Sequence, residues 1–121
     1  MIGYYFVSGA EPSHFTLRAG SSIRETGGSV HQIKRIIQHP NFNEQTADYD
    51  YALIEVAVPF DLTQPGIKTI ALAVTDPAVG EIGTVSGWGK LTLSLEYDGF
   101  HLCGATVISE TWALSATHCV K

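Results

Sequence analysis

Hydrophobic and polar residues alternate along much of this chain, and turn formers interrupt the alternation at short intervals. Phe15, Leu17 and Ala19 are separated by Thr16 and Arg18, the period of two expected of a strand with one buried face. Gly20, Ser21 and Ser22 break that strand, and Thr26-Gly27-Gly28-Ser29 reads as a turn. Residues 30–39 are ambiguous. Val30, Ile33, Ile36 and Ile37 fit a helical face, whereas the β-branched content, the neighbouring Gly-Gly and Pro40 favour a bulged strand. Residues 40–50 are polar and turn-rich. Residues 51–58 then predict a strand apolar enough to be buried on much of both faces, ended by Pro59. Residues 61–77 are irregular, with a turn at Gln64-Pro65-Gly66, and residues 83–88 predict a short strand. Leu91, Leu93 and Leu95 alternate with Thr92, Ser94 and Glu96, so this strand is expected to be half-buried. Asp98-Gly99 is a hairpin signal leading into residues 100–108, and residues 112–115 predict a last short strand. Six or seven short strands with this punctuation describe an all-β fold, a closed antiparallel barrel or a sandwich.

Composition narrows the function classes. A chain of 121 residues has room for one domain, and 45% hydrophobic residues suffice for a core. A net charge of −5 with seven scattered basic residues excludes nucleic acid, which needs clustered Lys and Arg. No apolar run approaches the roughly 20 residues of a membrane span. The start has no basic region of a signal peptide, so Met1 is expected to be an initiator on a chain expressed as it stands. Repeats, low-complexity segments and Asn-Xaa-Ser/Thr acceptors are absent. The two cysteines, Cys103 and Cys119, allow either a single bridge or two buried thiols, and the pattern alone does not choose.

The segment HLCGATVISETWALSATHC, residues 101–119, resembles the segment that carries the catalytic histidine in trypsin-like serine proteases. RAGSS at 18–22, IIQHPNFN at 36–43, DYDYALIEV at 48–56 and GTVSGWG at 83–89 resemble further blocks of the same family. That family consists of two six-stranded antiparallel Greek-key barrels with the active site in the cleft between them, and this chain resembles only the first. The blocks are also out of order. The histidine block opens the domain in the family, whereas here it closes the chain. The resemblance therefore implies a single barrel over residues 1–121, circularly permuted. Residues 3–89 are its second part and residues 91–121 its first, with the old ends joined near Gly89 to Leu91 and the new ends cut just after His118-Cys119. Residues 120–121 would naturally run on into residues 3–5. Permutation is tolerated where chain ends lie close together on the surface.

The resemblance assigns His118 as general base and Asp50 as its orienting carboxylate, with Asp48 a rival two positions away. An imidazole exchanges a proton near neutral pH, and an adjacent carboxylate fixes its tautomer. The resemblance also implies a Cys103–Cys119 bridge, with a loop worth roughly 3 kcal/mol and an oxidising compartment. Trp88 and Trp112 are expected to pack, and Ile2-Gly3 carries no weight as a mature protease start. No Gly-Asp-Ser-Gly-Gly segment occurs. Ser21, Ser22, Ser86 and Ser115 lack a nucleophile's surroundings. His14, His31, His39, His101 and His118 show no metal-type spacing, and Glu25 is the only acid in the 21–32 loop, where some relatives hold calcium. The expectation is therefore no metal and no cofactor. Such a chain is expected to be an engineered, recombinant half-enzyme, catalytically silent alone, from a secreted parent family. It is expected to self-associate as a homodimer through the former inter-barrel face. The alternative is a half that gives serine endopeptidase activity when a complementary second barrel joins it. A natural binding module is a third reading, disfavoured by the block order.

Overall fold

A computed structural model describes residues 11–83 and 93–120. Six strands form one closed antiparallel barrel in the order β1-β2-β3-β6-β5-β4: β1 Phe15–Ala19, β2 Ser29–Gln38, β3 Ala52–Val56, β4 Leu93–Tyr97, β5 Phe100–Val107 and β6 Trp112–Ser115. A 3₁₀ turn, Pro12–His14, precedes β1, and a single helical turn, α1 Thr117–Val120, follows β6. The strands fall into two meanders, β1-β2-β3 and β4-β5-β6. Antiparallel seams between β1 and β4 and between β3 and β6 close the cylinder. The placement of β3 beside β6 rather than β4 is a Greek-key connection.

The alternation read from the sequence sets what faces inward. Phe15, Leu17 and Ala19 point into the core with Ile54, Val56, Leu95, Val107 and Ala113. Phe60 and Ile67, from the irregular segment after β3, are buried with them. The ambiguous residues 30–39 are strand. A register shift between Ile33 and Arg35 lies behind the helix-like spacing of their apolar residues. Glu25, Gly27 and Gly28 have positive φ in the turn before β2. At the Asp98-Gly99 hairpin both residues also have positive φ, at 50° and 88°.

Two expectations about burial are corrected. The strand at residues 51–58 is narrower than expected, Ala52–Val56, and its alternation is strict. Ala52, Ile54 and Val56 are buried while Leu53 and Glu55 stay half-exposed, because only one side of this strand meets the core. By contrast, β4 is buried on both faces, not one. Ser94 and Glu96 are 2% and 1% exposed. Polar partners make that possible: the Arg18 Nε–H donates to Glu96 Oε2 at 2.8 Å, and Ser94 Oγ lies 2.7 Å from His101 Nδ1. The strand expected at residues 83–88, Ser86, Trp88, the proposed junction at 89–91 and the continuation from 120–121 into 3–5 lie wholly or mainly outside the described residues.

Candidate active site

The histidine sits where β6 ends. After Ser115 the chain turns at Ala116 into α1, and three of the four residues of that turn are anchored inside. Thr117 is fully buried and its hydroxyl donates to the Tyr51 carbonyl at 2.7 Å. The Val120 carbonyl accepts from Gln38 Nε2 at 3.1 Å. Cys119 is bonded to Cys103 on β5. His118 is the remaining residue of α1, and its side chain is 58% exposed. Its ring is thus held by a backbone that is itself fixed to β2, to β5 and to the residue preceding β3.

The carboxylate arrives from the opposite side, at the entry to β3. Tyr49 takes a positive φ of 56°, and the Tyr51 N–H donates back to the Tyr49 carbonyl at 2.9 Å. The His39 ring stacks on Tyr49 at 4.4 Å and meets Tyr51 edge-on at 4.9 Å. Asp50, between the two tyrosines, projects toward α1. Its Oδ1 accepts the His118 backbone N–H at 2.8 Å, and its Oδ2 accepts from the His118 ring Nδ1 at 2.6 Å. Burial works to raise the Asp50 pKa. The His118 backbone N–H, its ring and the Thr117 backbone N–H outweigh this and hold the carboxyl below its ordinary value.

This two-point contact fixes the chemistry available. With Nδ1–H donated to a carboxylate that stays ionised, the neutral ring keeps its lone pair on Nε2, which lies 3.6 Å from Cys119 Sγ. Asp48 is elsewhere. It bridges to Asn43 and accepts from the Thr46 hydroxyl at 3.0 Å, closing the loop before β3.

The other singled-out residues are occupied. Ser115 donates to the Gly104 carbonyl at 2.9 Å and Ser21 to the Ile23 carbonyl at 2.9 Å. His31 is buried, with Nδ1 on the Val58 carbonyl and Nε2 on the Ser29 hydroxyl, each at 3.0 Å. His14 pairs with Asp98 at 3.1 Å. Glu25 accepts the His101 N–H at 2.6 Å, tying the 21–32 loop to β5. Trp112 packs under Arg35, whose guanidinium carbon lies 5.0 Å from the ring centre. Sequence reading missed the clamp of His39 on Tyr49 and Tyr51. Its signal was present, as a histidine-proline pair followed by tyrosines on either side of one aspartate.

A closed six-stranded barrel that carries an imidazole–carboxylate pair fits one half of a trypsin-like fold. The trypsin family model matches residues 7–94 and 90–121, and the chain belongs to that family. It is similar to trypsin from Phaedon cochleariae, 35% identical over 82 residues, which are 66% of this chain and 31% of that protein. It is likewise similar to trypsin from Simulium vittatum, 39% identical over 83 residues, 64% of this chain and 32% of that one. Trypsin delta from Drosophila melanogaster is 38% identical over 78 residues, 63% of this chain and 30% of that one. The chain spans about a third of the length of the curated relatives it matches. No solved structure matches it.

Proposed function

We propose that this barrel is the proton-handling half of a serine endopeptidase centre. In this reading His118 Nε2 takes the proton of a nucleophilic serine and returns it to the leaving amine. Asp50 holds the ring's tautomer and stabilises its charged form. The observation that carries the reading is the double hold of Asp50 on His118, through Nδ1 and through the backbone N–H. A second barrel supplies the serine, the oxyanion donors and the substrate pocket, so the 121-residue chain alone turns nothing over. We further propose that the chain is an engineered, permuted barrel. The reversed order of its blocks supports this, as does the family model's match in two pieces. An oxidising, extracellular setting for the parent suits the Cys103–Cys119 bridge.

Peptide-ester turnover tests the reading. The lone chain should be silent, and mixing with a second-barrel chain should restore activity that His118→Ala abolishes. Turnover by the lone chain that depends on His118 would defeat it.

A specific observation favours a protein partner. Ile70, Leu72, Val74, Val79 and Ile82 are 60–107% exposed along one segment. Ile70 and Leu72 also line an apolar groove with Leu53, Ile108 and Trp112. Apolar surface of this kind is usually covered by another chain. We assign it to a two-fold homodimer when no second barrel is present. Sedimentation at micromolar concentration should then show dimer, and monomer alone would count against it.

A further inference from the structure

Beside the Asp50–His118 pair lies a second constellation, and it uses the nitrogen that the pair leaves free. Cys103 Sγ, Cys119 Sγ and a ring nitrogen of His118 all lie within 4.8 Å of one another. While the two sulfurs are joined they offer no thiolate, and the group binds nothing. We propose that reduction of this bridge converts the cluster into a site for a borderline-soft divalent cation, zinc above all, with Cys103, Cys119 and His118 Nε2 as ligands.

The geometry argues for this in three ways. First, the histidine–cysteine edge is already at metal spacing. Zn–N near 2.0 Å and Zn–S near 2.3 Å at a tetrahedral angle require an N···S separation of roughly 3.5 Å. His118 Nε2 stands 3.6 Å from Cys119 Sγ. Second, the ring is oriented as a metal ligand needs. Zinc-bound histidines commonly donate their other ring nitrogen to a carboxylate, which fixes the tautomer and strengthens the ligand. Asp50 holds Nδ1 at 2.6 Å, leaving Nε2 as the acceptor atom. Third, the backbone brings both cysteines to one place independently of the bond between them. Cys103 is held in β5, which pairs with β4 and β6. Cys119 lies in α1, which is anchored through Thr117 and Val120. His118 is exposed, so the fourth position opens to solvent.

The chemistry balances. A phosphine reductant and one water give the phosphine oxide and two thiols, and binding of the cation then releases two thiol protons. The same occupancy takes the lone pair of Nε2. On the reading of His118 as general base, the loaded protein is therefore locked off. Metal binding itself does not rest on that reading.

The test uses the whole chain, reduced with a phosphine under anaerobic conditions, freed of reductant and titrated with Co(II) and then Zn(II). One equivalent of Co(II) should give a tetrahedral visible spectrum with thiolate charge-transfer bands, which Zn(II) displaces. The oxidised chain should give neither. His118→Ala should weaken binding at least as much as Asp50→Asn, which should weaken it about 10–100-fold. The Asp50 variant is decisive. In an unfolded chain Asp50 is remote from the cysteines and its loss changes nothing. Should the reduced metal-free chain unfold, Zn(II) must restore its β-sheet circular dichroism with the same order among variants. The proposal is overturned if the reduced chain shows no thiolate–Co(II) bands, or if Asp50→Asn binds as tightly as the parent. It also fails if zinc does not restore an unfolded reduced chain.

Discussion

Asp50 joins the chemistry of the rim to the stability of the barrel. Burial favours its neutral form, yet the donors from His118 and Thr117 keep it ionised to lower pH than an ordinary carboxyl, whose value is 3.8. The sign of the consequence follows. Because the folded pKa is depressed, the unfolded chain binds more protons in this window. The stabilisation is complete above the ordinary carboxylate range and is lost as pH falls through the folded value. Urea midpoints measured on the acid side should therefore fall with pH more steeply in the parent than in Asp50→Asn. Equal slopes would show that Asp50 does not couple to folding. The same variant bears on function. In the complemented enzyme Asp50→Asn should lower kcat by about 10⁴, the general figure for this exchange in a serine-protease triad, because the amide favours the wrong tautomer of the ring. A loss of only a few-fold, with the fold intact, would remove Asp50 from the mechanism.

At the scale of elements, legibility in the sequence depended on whether a strand's pattern was local. β1 is legible because Phe15, Leu17 and Ala19 carry the whole signal. β2 was not resolved because the register shift between Ile33 and Arg35 exists only in its pairing with β3. The two-sided burial of β4 is not legible because the partners that let Ser94 and Glu96 go under, His101 and Arg18, come from other strands. The site divides the same way. The residue types at Asp50 and His118 belong to motifs, whereas His39-Pro40 and the tyrosines flanking Asp50 are visible in the sequence but their ring contacts form only in the folded barrel. The β4 case carries a stability prediction. Arg18→Met leaves the Glu96 carboxylate, 1% exposed, without its cation and should cost about 3–5 kcal/mol in denaturant unfolding. A loss below about 1 kcal/mol would mean that the pair is not what keeps Glu96 buried. Turns give a paired comparison. A Cβ on Gly28, at φ +62°, would stand 2.1 Å from the Ala19 carbonyl oxygen, whereas one on Gly99, at φ +88°, meets nothing within 4 Å. Gly99→Ala should cost only the left-handed conformation, about 1–2 kcal/mol. Gly28→Ala must also push backbone apart and should cost more. Equal losses would contradict the tight approach at Gly28.

For the whole molecule, the barrel is two local meanders sewn together twice, at β1·β4 and at β3·β6. Neither seam requires a particular covalent link between the meanders, since each is held by ladder hydrogen bonds and by the shared core of Leu17, Leu95, Ile54 and Ala113. Asp50 enters from the first meander and His118 follows the last strand of the second, so the pair forms across the β3·β6 seam whichever meander comes first in the chain. Relinking changes mainly loop closure, where each doubling of loop length costs only about 0.6 kcal/mol. A chain that runs 91–121 and then 3–89 should therefore fold to the same barrel, within about 2 kcal/mol in urea unfolding. It should also keep the downfield proton of an imidazole Nδ1–H donated to a carboxylate in its NMR spectrum. The resonance should vanish in His118→Ala of either chain. A reordered chain that folds without that signal would show that the order of the meanders, and not the seam, brings the imidazole to the carboxylate.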